Sequence, residues 1–281
     1  MIRSALFIPG DQLHLVDKLD RRPADEQPDQ VILDLEDSVA QTTKADARTS
    51  VATVLASHRL GPDVIVRINS EEMGMTDLAA VCDAGDPIIC VPKADLHSVT
   101  DVIDAIRSIG RTPRVWALIE SAAGLRDAHR ISAVPGVVRL ALGEVDLCAE
   151  LGVHPSAAHA LWPLRMQLVT ASILGGLPGP IGPVSTDFSE IERYERDSVQ
   201  LRDAGFGGRL AIHPSQLSAI HRAFTPTPDE IRRAQRVIEL FDEAAAAGRG
   251  AIVDDDGHMI DEAVVRAARR LIETVPSEEE R

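Results

Sequence analysis

PIICVPKADLHSVTDVIDAIRSIGRTPRVWALIESAAGLRDAHRISAVPGVVRLALGEVD (residues 87–146) sets the fold. Three short apolar runs, PIICVPK (87–93), VWALIE (115–120) and VVRLALG (137–143), read as buried strands. Between them, 96–109 and 122–132 carry apolar residues at helical spacing, so the stretch reads strand–helix–strand–helix–strand. The alternation continues outward. SALFIP (4–9), VILDLE (31–36) and VIVRIN (64–69) precede it, and PGPIGPV (178–184) and GRLAIHP (208–214) follow. Helices are expected near 12–20, 41–58, 73–84, 156–175, 189–204 and 215–223. The seventh run is the weakest strand, because its Gly and Pro suit a sheet interior poorly. Eight strands alternating with helices predict a (β/α)8 TIM barrel over residues 1–225. An open doubly wound sheet would carry a Gly-rich phosphate turn after its first strand, and IPGDQ (8–12) is not one.

Residues 226–281 read as a C-terminal extension. FTPTPDE (224–230) leads into a helix, with Pro228, Asp229 and Glu230 suited to its first turn. GAIVDDDGHMID (250–261) reads as a hairpin turning at Asp256-Gly257, followed by a last helix over 262–275.

Composition narrows the function. The 281 residues hold 29 Lys+Arg against 44 Asp+Glu, for a net charge of −15. That balance disfavours nucleic acid and anionic membrane surfaces as partners, since both demand a basic face. Cys82, Cys90 and Cys148 are widely spaced, and neither a disulfide framework nor a zinc site is expected. No stretch is long and apolar enough to span a bilayer, and the expectation is a cytoplasmic protein with buried thiols.

In a barrel of this type the chemistry collects at the C-terminal ends of the strands. There the sequence places Asp34, Glu36 and Asp37, then Arg67 and Asn69, Lys93, Glu120, Glu144 and Asp146, and His213. Glu36, Arg67 and Glu120 lie in or directly after apolar runs, where a charge must be paired or metal-bound. Glu120 and Asp146 fall on adjacent strand ends, and two carboxylates with open positions suit Mg²⁺. The alternatives are a first-turn helix charge for Asp146 and an ion pair with Arg67 for Glu120. Arg67 could grip a carboxylate or a developing enolate oxygen, or pair with Glu36 or Glu120. Asp34 could face the barrel axis or the helices. Lys93 suits anion binding or a Schiff base, and His213 a backbone hydrogen bond. Read alone, Asp261 is an ordinary helix cap.

LFIPG (6–10), ILDLEDSV (32–39), KADAR (44–48), VRIN (66–69), VPK (91–93), ALIESAAGL (117–125), LGEVDL (142–147), GFGGRLAIHPSQ (205–216) and GHMID (257–261) occur in this order. Together they resemble the citrate lyase β-subunit-like branch of the HpcH/HpaI aldolase superfamily. The resemblance implies a Mg²⁺-dependent carbon–carbon lyase. Its substrate would be a β-hydroxyacyl thioester of the citryl-, malyl- or citramalyl-CoA type, on CoA or an acyl carrier, cleaved to or formed from an α-keto acid and an acyl-CoA. It implies Mg²⁺ on Glu120 and Asp146, and substrate on Arg67 and Glu120. Glu36 and Asp37 would support the metal's waters, and Asp261 would be an acid/base delivered in trans within a homo-oligomer, commonly a trimer. Ala263 stands where the family usually has proline after this aspartate. A metal-dependent aldolase acting on free pyruvate-derived hydroxy acids and a non-catalytic carrier-binding subunit are the alternatives.

Overall fold

A computed structural model describes residues 2–19, 21–57, 63–187, 190–254 and 256–275. The expected helix ends at 20, 58 and 189, and the charged tail beyond 275, lie outside them. The chain forms two compact units, Ile2–Arg222 and the residues from Ala223 onward.

The first unit is a closed barrel of eight parallel strands. They are β1 (Ser4–Pro9), β2 (Gln30–Asp34), β3 (Ile65–Arg67), β4 (Ile88–Val91), β5 (Val115–Ile119), β6 (Val137–Leu142), β7 (Ile181–Gly182) and β8 (Gly208–Ala211). Between them run α1 (His14–Leu19), α2 (Lys44–Ala56), α3 (Glu71–Ala84), α4 (Leu96–Ser108), α5 (Ala122–Ser132), α6 (Glu144–Leu151), α7 (Ala158–Leu174) and α8 (Ile191–Asp203). The (β/α)8 expectation holds. Two details differ. An additional short helix, α6, follows β6 at once. The seventh run is reduced to Ile181–Gly182, sharing one register pair with β6, because the flanking prolines have no N–H to give to a ladder.

The barrel interior is filled by Ala5, Ile32, Ile65, Ile88, Cys90, Trp116, Leu118, Ala141, Ile181 and Leu210, with Phe7 and Val184 packed against them. Neighbouring residues Leu6, Leu33, Val66 and Ile89 are equally buried, and by the two-residue period of a strand they lie on the helix side. That same period carries the interior face upward. After Ile32 come Asp34 and Glu36, after Ile65 come Arg67 and Asn69, and after Leu118 comes Glu120. The strands therefore aim charge at the barrel mouth by continuing the alternation that builds the core below it. Asp34, open in the sequence, belongs to the inward series.

Helix starts are written locally. Asp95 accepts from the Ser98 amide at 2.8 Å, and Ser98 Oγ closes the capping box of α4. Ser121 caps α5 in the same position.

α9 (Leu217–Phe224) ends near the division. Beyond it, α10 (Pro228–Ala246) starts in a Thr227–Glu230 capping box with Pro228 in its first turn. β9 (Ala251–Val253) and β10 (Met259–Asp261) pair antiparallel as expected, with Gly257 in the left-handed region at φ 84°. α11 (Glu262–Glu273) closes the unit around Phe241, Ile260 and Val265.

Candidate active site

Asp34 and Arg67 are direct register partners on adjacent strands and share the inward face. Their side chains meet as a two-point fork, with Arg67 Nε and Nη2 each 2.6 Å from an Asp34 oxygen. Arg67 Nη1 also lies 3.0 Å from Glu36 Oε2 and 3.9 Å from Asp37 Oδ2, and the guanidinium stacks 4.7 Å from the Phe7 ring. The Glu36 contact is an ion pair without hydrogen-bond geometry, since buried Oε2 has no hydrogen-bond partner among the described residues. Burial opposes ionisation of Asp34. The Arg67 hydrogen bonds and charge, with bonds from Ser38 and the Glu36 amide, outweigh it and hold the carboxyl below its ordinary range. Glu36 has the opposite balance: burial wins over Arg67, Asp37 adds repulsion, and the group is pushed up.

A network outside these residues fixes the loops. Lys44 Nζ donates to the carbonyls of Leu35 and Glu36 and to Asn69 Oδ1. Asn69 donates twice to buried Asp77, whose other oxygen takes Arg48 Nε at 2.5 Å. Lys44 and Arg48 are thus engaged within the fold. Arg3 is held by Asp29.

Glu120 is 3% exposed. Its Oε1 accepts the Lys93 amide at 2.6 Å, and Oε2 accepts no hydrogen bond among the described residues. Burial, with repulsion from Glu36 and Asp146, outweighs the Lys93 amide and Arg67 and pushes its carboxyl to about 7. No ion pair joins Glu120 to Arg67 among the described residues. Arg67's close partner is Asp34, because Asp34 is its register neighbour, a pairing that neither strand's sequence reveals alone.

Asp146 lies in the first turn of α6, half-buried and without a capping hydrogen bond. The cap position belongs to Gly143, which has a second use. A β-carbon there would stand 2.5 Å from Glu120 Cβ, so only glycine lets the carboxylate sit against the α6 entry. Glu144, one residue on, is taken by Arg165 in a fork at 2.6 and 2.7 Å. The donor set at the mouth is therefore hard carboxylate oxygen, with one oxygen of buried Glu120 unpartnered and Asp146 near enough to raise it. Those residues fit a small divalent cation such as Mg²⁺.

Lys93, just past β4, has φ 45°. A non-glycine residue there costs about 1–3 kcal/mol of strain and tends to mark function. Its Nζ donates to Glu36 Oε1 at 3.1 Å. That hydrogen bond, against modest burial, raises the ammonium above its ordinary value, the reverse of what a Schiff-base lysine needs. No sequence signal marks a left-handed lysine, and this residue's position was missed for that reason.

His213 accepts from the Ser215 amide and caps the short turn Pro214–Gln216, a structural role. Asp261 belongs to the C-terminal unit, where its Oδ1 accepts from the Ala263 and Val264 amides and caps α11.

The description HpcH/HpaI aldolase/citrate lyase fits residues 3–214 of this chain as a family model. A (3S)-malyl-CoA thioesterase of Cereibacter sphaeroides is 33% identical over 96% of this chain and 93% of its own length. Citrate lyase subunit beta of Escherichia coli is 32% identical over 96% and 92%. Among solved structures, CitE from Mycobacterium tuberculosis, in complex with magnesium, acetoacetate and coenzyme A, superposes with a TM-score of 0.79 at 27% identity, covering 96% of this chain and 97% of that one. The barrel agrees with these matches, and the chain belongs to the HpcH/HpaI aldolase/citrate lyase family.

Proposed function

We propose that this protein is a Mg²⁺-dependent lyase that cleaves or forms a β-hydroxyacyl-CoA thioester of the malyl, citramalyl or citryl type, with an α-keto acid and an acyl-CoA as the other partners. The observation that carries the reading is buried Glu120. It is an ionisable group with one oxygen unpartnered, beside Asp146, facing the arginine of the opposite strands. Glu120 and Asp146 would hold the cation. When bound, Mg²⁺ supplies Lewis acidity toward the substrate's hydroxyl and carboxylate oxygens.

The chain's own residues supply the rest. Arg67 is pre-oriented by Asp34, so its guanidinium can meet a substrate carboxylate or the oxyanion of a thioester enolate without reorganising. Glu36 and Asp37 line the same mouth and accept hydrogen bonds from water or the substrate hydroxyl. Glu120 also contacts substrate. Asp261, from a neighbouring copy in a homo-oligomer, would protonate the enolate carbon, or abstract that proton in the condensation direction. Local cationic groups explain how a chain of net charge −15 takes an anionic thioester. Of the basic residues near the N-terminus, Lys18 is exposed and suits the CoA phosphates, whereas Arg3, Lys44 and Arg48 are engaged.

The relative named as a malyl-CoA thioesterase supports a second reading, in which hydrolysis of the thioester C–S bond replaces C–C cleavage. A panel of hydroxyacyl-CoA thioesters with Mg²⁺ separates the two. Release of keto acid with acyl-CoA supports the lyase. Release of free CoA and hydroxy acid supports the thioesterase, and no turnover on any member rejects both.

A further inference from the structure

We propose that Lys93 is a positioning residue that keeps Glu36 out of the cation's ligand set, leaving Glu120 and Asp146 to hold the metal. The inference rests on the reading of those two carboxylates as the cation site. Glycine would occupy a φ of 45° freely, yet a lysine stands there. What the lysine adds is a grip at two points. Its amide fixes Glu120 Oε1 at 2.6 Å, and its ammonium fixes Glu36 Oε1 at 3.1 Å. Arg67 Nη1 lies 3.0 Å from the other oxygen of Glu36, an ion pair without hydrogen-bond geometry. Glu36 thus sits between two cations, whereas Glu120 meets only a backbone amide among the described residues.

The two carboxylates compete for one divalent cation, and this grip assigns them different work. Glu36 stays an acceptor for water or substrate hydroxyl, and Glu120 stays a ligand. Released from the ammonium, Glu36 could turn to the cation as a third carboxylate. The metal would then bind more tightly in a site with fewer open positions for substrate oxygens.

The test compares wild type, Lys93→Gly, Lys93→Arg, Glu36→Gln and the Lys93→Gly/Glu36→Gln double variant. Mg²⁺ is titrated into substrate-free protein by calorimetry at physiological salt, and thioester cleavage is followed with Mg²⁺ saturating. Lys93→Gly keeps the amide and the backbone angle. It is expected to bind Mg²⁺ about tenfold more tightly while kcat falls at least about tenfold and KM changes little. Lys93→Arg should restore most of the turnover. In the Glu36→Gln background the gain in Mg²⁺ affinity should shrink to under about twofold, because an exposed, salt-screened ammonium alone repels the cation weakly. A lysine with a merely structural role would instead lose Mg²⁺ affinity and turnover together, and that outcome overturns the proposal. So do an unchanged Mg²⁺ affinity, a gain that persists without Glu36, and a wild type that does not bind Mg²⁺. If wild type binds Mg²⁺ but cleaves no thioester, the lyase reading fails alone, and the Mg²⁺ titrations still decide the role of Lys93.

Discussion

The two sides of the barrel mouth hold buried charge in different states of completion. On the β2–β3 side, Asp34 and Arg67 satisfy one another through a fork, with Ser38, the Glu36 amide and the Phe7 ring filling the remaining directions. On the β5–β6 side, Glu120 is as deeply buried but holds one amide, and its neighbour Asp146 repels it. A buried carboxylate with its partners present stabilises a fold. One without them awaits a ligand or takes up a proton. The difference teaches that the Asp34–Arg67 fork is a support that aims the arginine into the mouth, and that Glu120 is a binding position.

The comparison can be broken most directly at Glu120. Glu120→Ala is expected to abolish the heat of Mg²⁺ binding in calorimetry and to cut turnover roughly a thousandfold while the barrel stays folded. Unaltered Mg²⁺ affinity would remove Glu120 from the binding side.

A second experiment asks whether that side is completed by another copy. Asp261→Ala and Glu120→Ala should each be inactive alone. Unfolded together, refolded and assayed, they should recover up to about a quarter of wild-type activity, the fraction of randomly assembled sites that draw both intact residues from different chains. Recovery no greater than the sum of the single variants would place Asp261 in the site of its own chain or outside any site.

Stability should separate the sides next. Asp34→Ala takes both hydrogen bonds from buried Arg67 and leaves it only the ion pairs with Glu36 and Asp37, and equilibrium unfolding in urea should show a loss of about 3 kcal/mol. Glu120→Gln, measured with chelator present, should lose nothing.

The pH dependence of the metal-free protein sharpens the contrast. The folded Glu120 titrates near 7, above its ordinary 4.5. The folded state therefore binds more protons than the unfolded one between those values, and Glu120 adds stability as pH falls from about 7.5 to 5, by roughly 1–3 kcal/mol. Asp34, held below its ordinary value, works in the other sense: its contribution is complete at neutral pH and is lost as pH drops below about 4. Melting curves across this range on wild type and Glu120→Gln would show the Glu120 slope disappear. A slope that survives in the variant belongs to another group.

The smallest expected effect is at Gly143. Gly143→Ala fits the backbone, at φ −93°, but crowds Glu120. Because no side-chain rotation relieves a contact with Glu120 Cβ, it should lower the melting temperature by several degrees and lose about tenfold in Mg²⁺ affinity.

The parts of this site that could be read from sequence were charges in improper company. Glu36, Arg67 and Glu120 stood out because they interrupt apolar runs. The hairpin of the second unit was legible from Asp256-Gly257, and the start of α10 from Thr227, Pro228 and Glu230. What could not be read was set by partners distant in the chain. Asp34 could face either way until β2 was in register with β3. Lys44 and Arg48 have partners, Asn69 and Asp77, that lie 25 and 29 residues further along the chain. Lys93 gave no sign of its backbone angle, because lysine has no propensity for it. Asp261 is a helix cap in this chain, and its proposed chemistry belongs to an assembly that a single sequence does not spell out.

The two-residue β7 has a consequence for how the barrel could be remodelled. With one register pair to β6 and two to β8, it is the seam of the cylinder. Its amides should be the first of the barrel strands to exchange with deuterium. It is also the natural point for inserting a peptide or opening new termini. Ser185, Thr186 and Asp187 just beyond it line a cavity of about 310 Å³ together with Glu144, Val145 and Cys148 of α6, so length changes at the seam would reshape that cavity while the strands that carry Asp34, Arg67 and Glu120 stay closed.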